Sequence, residues 1–164
     1  MALSTTQSIW RSGGGDQTRT AYCGSGVMVA EFYFSATQAS GNAKVSSAAN
    51  AANVILPANA VILQINANAA GTGGTTPTFD MGFTLYTTGT ASPQALLNES
   101  DADAGKQVFN WASATAGTSL NAVMSATELV YITGRAGASA ATGGAVTGTI
   151  LYFVTDPLLG QQNV

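Results

Sequence analysis

Residues 54–86 read VILPANAVILQINANAAGTGGTTPTFDMGFTLY, and this stretch decides the fold. It holds two strand-length runs with alternating side chains. In the first, Val61, Leu63 and Ile65 fall on one face, with Gln64, Asn66 and Asn68 on the other. In the second, Phe79, Met81, Phe83 and Leu85 share a face opposite Asp80, Gly82 and Thr84. A period of two predicts a strand pair with one buried face. Pro57 sets φ ahead of the first run and bars a helix from entering it. The link AAGTGGTTP is too long for a two-residue turn and reads as a loose hairpin or a sheet-to-sheet crossover.

Working outward, GVMVAEFYFS at 26–35 is a strand in which Met28, Ala30, Phe32 and Phe34 alternate with Val27, Val29, Glu31 and Tyr33. Both sets are mostly apolar, which predicts cover on both sides, the second side by a neighbouring subunit. The small-residue stretch that follows favours an irregular loop. Beyond the central runs, Ser92–Pro93 reads as a helix start, and QALLNES is long enough for one or two turns. Gln107–Trp111 reads as a short strand that turns Val108 and Trp111 inward. Glu128–Arg135 and Ala145–Thr155 are strands. In the last, Val146, Ile150, Tyr152 and Val154 share a face, and Gly148 marks a bulge or a close backbone approach.

Short strands and Gly/Thr/Ser-rich turns predict an all-β antiparallel sandwich, with a jelly roll as one such arrangement. The expected layout is an extended N-terminal arm over 1–25, a sandwich domain over 26–157 and a C-terminal tail over 158–164. In the arm, Trp10 and Tyr22 flank Arg11 and Arg19. Aromatics and arginines carry most interface energy, so these four are the candidate partner contacts.

Composition narrows the function. Charged residues are 8% of the 164, against about 25% in ordinary domains. Such a surface has little colloidal protection and suits a protein covered by partners. The net charge of −3 offers no basic footprint for nucleic acid. No segment has the length of a membrane span or the makeup of a signal peptide, so synthesis in a cytoplasm is expected. The chain has no histidine, which removes Ser-His-Asp and Cys-His catalysis and imidazole-based zinc sites. Lone Cys23 cannot form an internal disulfide. No cofactor is implied, and no catalytic residue is assigned.

The acidic run Glu99-Ser100-Asp101-Ala102-Asp103 offers Asp101 and Asp103 as calcium ligands. No later glutamate closes such a loop, so a solvated turn is the leading reading. Asp80 is expected to be exposed or subunit-facing. If covered, it should be hydrogen-bonded or charge-paired, with Arg135 a plausible partner for it or for Glu31.

Leu56, Pro57, Ala60 and Ile62, then Asp80 and Gly82, then Asp101 to Gly105, and finally Tyr152 form a series of short signals. They resemble a group of tailed-phage virion proteins, among them head decoration (cement) or head-associated proteins of marine and cyanobacterial phages. The resemblance implies a β-sandwich bound to the outside of an icosahedral capsid, oligomeric and without catalysis. Its partners would be the major capsid protein or other virion proteins, and its address the virion surface. A homotrimer is the expected state. The alternative is a glycan- or host-surface-binding module of a fibre or appendage, with Trp10, Trp111 and Tyr86 as the aromatic candidates. An enzyme ranks below both, and a bacterial surface or spore-coat protein is a further rival.

Overall fold

The structure is a computed structural model that describes residues 27–110 and 128–154. The arm with Trp10, Arg11, Arg19, Tyr22 and Cys23, together with Trp111 and the tail, lies outside the described residues. Eight strands are described: β1 Met28–Ser35, β2 Ile55–Leu56, β3 Ala60–Ala69, β4 Thr78–Leu85, β5 Ala91–Asp101, β6 Gly105–Asn110, β7 Val130–Ala136 and β8 Ala145–Val154. They form two four-stranded sheets, ordered β1-β8-β3-β6 and β2-β7-β4-β5, with every pairing antiparallel. The chain changes sheet at each connection except β4 to β5. Among the described residues the fold is an all-β antiparallel sandwich, as the alternation predicts.

The core lies between the sheets and is stitched by aromatic rings. Phe32 and Phe34 of β1 lie 6.1 Å apart, Phe34 meets Phe79 of β4 at 5.9 Å, and Phe79 meets Phe109 of β6 edge-on at 6.3 Å. The contacts thus cross from one sheet to the other and back, at separations where ring quadrupoles favour tilted geometry. Leu56, Ile62, Ile65, Met81, Leu96, Leu97, Ile132 and Ile150 fill the space around them.

Residues 54–86 are strands, but they do not pair with each other. β3 pairs with β6 and β8, whereas β4 pairs with β5 and β7. The Gly/Thr link is therefore the crossover, not the hairpin. The face assigned to β3 also changes halfway along. Ala60 and Ile62 point into the core, and so do Ile65, Ala67 and Ala69. Tyr152 of β8 faces Ile62 and Leu151 faces Gln64, which leaves Leu63 as an extra residue. This bulge puts Leu63 and Gln64 on the same outer side and resets the alternation. Val61 and Leu63 are half-buried outside the core, and only Ile65 of the expected apolar face is inside.

Two further expectations are corrected. Residues 92–99 form the middle of β5 rather than a helix, because Leu96 and Leu97 are both fully buried against the sandwich. In β6 the inward residue is Phe109, while Val108 is 54% exposed. Pairing with β3 decides that phase, since Phe109 stands opposite core residue Ile65. Elsewhere the expected faces hold, with Val146 and Ile150 buried and Phe79 and Met81 buried. Gly148 is a close approach. A Cβ there would sit 2.0 Å from the Asn66 carbonyl oxygen and 2.9 Å from the Phe32 ring.

The segment between β1 and β2 is irregular, as expected, and binds both sheets along one edge. Lys44 exchanges both backbone hydrogen bonds with Tyr33 of β1, at 2.7 and 2.8 Å, and the Ala43 N–H donates to Ile132 of β7 at 2.8 Å.

Candidate docking surface and the buried Asp80 network

The outer side of the β1-β8-β3 sheet carries an apolar patch at one end. Val29 stands opposite Leu151, and Phe153 stands opposite Val61, all on the face turned from the core. The bulge adds Leu63 to the same side. Val29 is 61% exposed and Val27 57%. Toward the other end the same face becomes polar, with Glu31 opposite Thr149 and Tyr33 opposite Thr147. These residues border a groove of about 390 Å³, with Val45 and Ser46 on its far wall. β1 is also an edge strand. Since Tyr33 gives both its backbone groups to Lys44, strand parity aims those of Val29 and Glu31 at the open edge. Val27 and Val29, the aliphatic members of the second set of β1, thus stand open to solvent.

Asp80 is fully buried on the outer face of β4. It accepts hydrogen bonds from Arg135 Nε at 2.8 Å, from Gln94 Nε2 at 3.1 Å and from the Glu99 backbone N–H at 2.8 Å. What covers it is β5. One residue of β4 between Met81 and Phe83 faces four of β5, and Asp80 alone faces Asn98 and Glu99. The slack lets β5 lie over β4, and a Cβ on Gly82 would be 2.0 Å from the Ser92 carbonyl oxygen. Glu99 takes a left-handed φ of 51°, unusual for a residue with a Cβ, and its N–H turns to Asp80 instead of the ladder. Asp80 is therefore the structural, charge-paired aspartate of the covered case, with Arg135 as its partner. Glu31 is exposed.

The acidic run is dispersed. Glu99 turns away and accepts from Thr78 Oγ1 at 2.5 Å and from the Ala138 N–H at 2.9 Å. Ala102 is buried, whereas Asp101 and Asp103 are exposed. The Asp103 N–H donates to Asp101 Oδ1 at 3.0 Å, the geometry of a backbone-bonded aspartate turn. Hydrogen bonding with Asp101, then desolvation, then the charge on Asp101 raise the Asp103 carboxyl above its ordinary value. Among the described residues no three carboxylate or thiol groups gather where they could hold a metal ion.

Tyr86, a candidate from the sequence, is 51% exposed and packs on Tyr131 with ring centres 5.2 Å apart. Burial, then Tyr86, push the Tyr131 phenol above its ordinary value. Nothing in the sequence pairs these two rings, because 45 positions separate them and only the β4–β7 register joins them.

No protein family and no curated protein matches the chain. Among solved structures, a chain of the cyanophage Pam1 capsid asymmetric unit is similar over 80% of this chain and 87% of its own length, at 19% identity and a TM-score of 0.45.

Proposed function

We propose that the protein is a structural virion component without catalytic activity that binds the outside of a phage capsid and stabilises the shell, as decoration or cement proteins do. The observation that carries this reading is the apolar end of the outer β1-β8-β3 face, continuous with a strand edge that, among the described residues, is paired at Tyr33 alone. A soluble domain rarely leaves an open apolar edge uncovered, because it templates association. A chain with 8% charged residues has little else to keep copies apart. The motifs at 56–62, 80–82 and 101–105 supply the virion context. We read the wrapping as a jelly roll, which the alternation of strands between the two sheets supports.

In this reading the β1 edge meets capsid subunits or a second copy, and the arm residues Trp10, Arg11, Arg19 and Tyr22 add contacts. A partner that binds only the assembled shell shifts the equilibrium away from disassembly by mass action. A homotrimer is the expected state, since three-fold capsid positions suit a closed cyclic oligomer.

The test is light scattering on a size-exclusion column, followed by co-sedimentation with phage heads. A trimer that sediments with heads, and loses this on deletion of residues 1–25 or on Val29→Lys, is the expected result. A monomer that leaves heads unbound would overturn the reading.

A further inference from the structure

The outer face of the other sheet carries a second feature that capsid binding does not use. Register places Asp80 opposite Arg135, Gly82 opposite Thr133 and Thr84 opposite Tyr131. Between the Ser40–Asn42 loop and the Ala91–Pro93 part of β5, this row opens into a pocket of about 260 Å³. Its floor is Arg135, Thr133 and Thr84. Asn42 and Ser40 form one wall and Pro93 the other.

Three properties of this pocket point to a ligand. Arg135 gives its Nε to Asp80, and its two Nη groups have no partner among the described residues, so a planar acceptor can dock on the free end of the guanidinium. The Asp80 carboxylate holds that guanidinium in place from below. Asn42 and Ser40 stand along the rim, so polar side chains flank the guanidinium on the loop side. Beyond Thr84 and Thr133 the same face continues into the stacked Tyr86 and Tyr131, the former half exposed. Aromatic rings beside a polar pocket offer a flat apolar surface with a polar rim, which suits the face of a sugar ring.

We propose that this face binds an acidic oligosaccharide: a uronic-acid residue in the pocket, with its carboxylate on Arg135 and a hydroxyl on Asn42, and the next sugar on Tyr86. The pocket is smaller than the roughly 300–1,000 Å³ typical of drug-sized ligands, so it fits a single ring. A lone carboxylate from a protein side chain would leave Asn42 and the tyrosine pair unused. The proposal does not depend on where the protein sits in a particle, because it uses the opposite sheet from the β1 edge.

The experiment is a titration of the isotope-labelled full chain with tetragalacturonate, cellotetraose and acetate, followed by amide and side-chain NMR shifts. Tetragalacturonate should move the signals of Thr84, Thr133 and Arg135 in the millimolar range, with cellotetraose and acetate at least tenfold weaker. Arg135→Lys should weaken binding about tenfold or more, because a point charge cannot match a planar fork. Tyr86→Ala, at an exposed position that leaves the fold intact, should weaken tetragalacturonate binding several-fold and leave acetate unchanged. Acetate binding as tightly as tetragalacturonate, cellotetraose binding equally, or shifts confined to other residues would each overturn the proposal.

Discussion

Asp80 and Arg135 face each other across β4 and β7, with Nε 2.8 Å from Oδ2, on the side of the sheet turned away from the core. The carboxylate is fully buried and the arginine side chain is 31% exposed, so the pair joins the inside of the β5 overhang to solvent. Removing the carboxylate strands three donors at once, on Arg135, Gln94 and Glu99. Asp80→Ala is expected to cost about 2–4 kcal/mol, within the range for losing a hydrogen-bonded buried charge. Urea unfolding checks this, and an unchanged midpoint would show that β5 is held by its leucines alone.

The bulge at Leu63 makes neighbouring apolar residues unequal. Ile65→Ala removes a fully buried side chain and should cost about 2–5 kcal/mol. Leu63→Ala, on the half-buried outer side, should cost about 1 kcal/mol or less. Denaturant midpoints of the two variants, at equal slope, read the difference directly. Equal losses would mean that the alternation runs unbroken through the strand.

Gly148 lies against the Asn66 carbonyl and the Phe32 ring, where backbone cannot give way. Gly148→Ala should therefore cost about 3 kcal/mol, at the upper end for overpacking. Thermal unfolding followed by circular dichroism would register it, and a variant as stable as the parent would contradict the packing of β8 between β1 and β3.

Two carboxyls respond oppositely to acid. Hydrogen bonding from Thr87, through its side chain first and then its backbone N–H, holds Glu128 below its ordinary value. Its stabilising contribution is present above the unfolded value and is lost as pH falls through the folded one. Asp103 is raised by its neighbour Asp101, so its contribution is fully present below the unfolded value and is lost as pH rises through the folded one. Carboxyl carbon NMR titration should find the Asp103 midpoint above, and that of Glu128 below, those of the same residues in unfolded peptides. Glu128→Gln should flatten the stability loss at the acid end. The reverse order of midpoints would refute both hydrogen-bond assignments.

Most strands are legible in the chain because a sheet with one buried face must alternate, and β1, β4, β7 and β8 keep that alternation. Reading fails where the backbone breaks step. The bulge at Leu63 turns half of β3 over, and Val108 and Phe109 exchange faces, since phase in a six-residue strand is set by its partner. Ser92–Pro93 resembles a helix start, yet the two leucines behind it are claimed by the core, and tertiary burial outweighs local preference. Of the candidate site residues, the pairing of Asp80 with Arg135 was within reach as one of two options. The tyrosine pair was not.

Composition and period two determine that this chain forms an antiparallel sandwich, that its interior is aromatic and aliphatic, and that histidine-dependent chemistry is closed to it. Those properties depend on residue type and on neighbours two positions apart. Which strands pair, which side Leu63 takes, and whether Arg135 meets Asp80 or Glu31 depend on contacts between residues dozens of positions apart. Only closure of the two sheets decides them, because register is a property of two strands and cannot be read from either one alone.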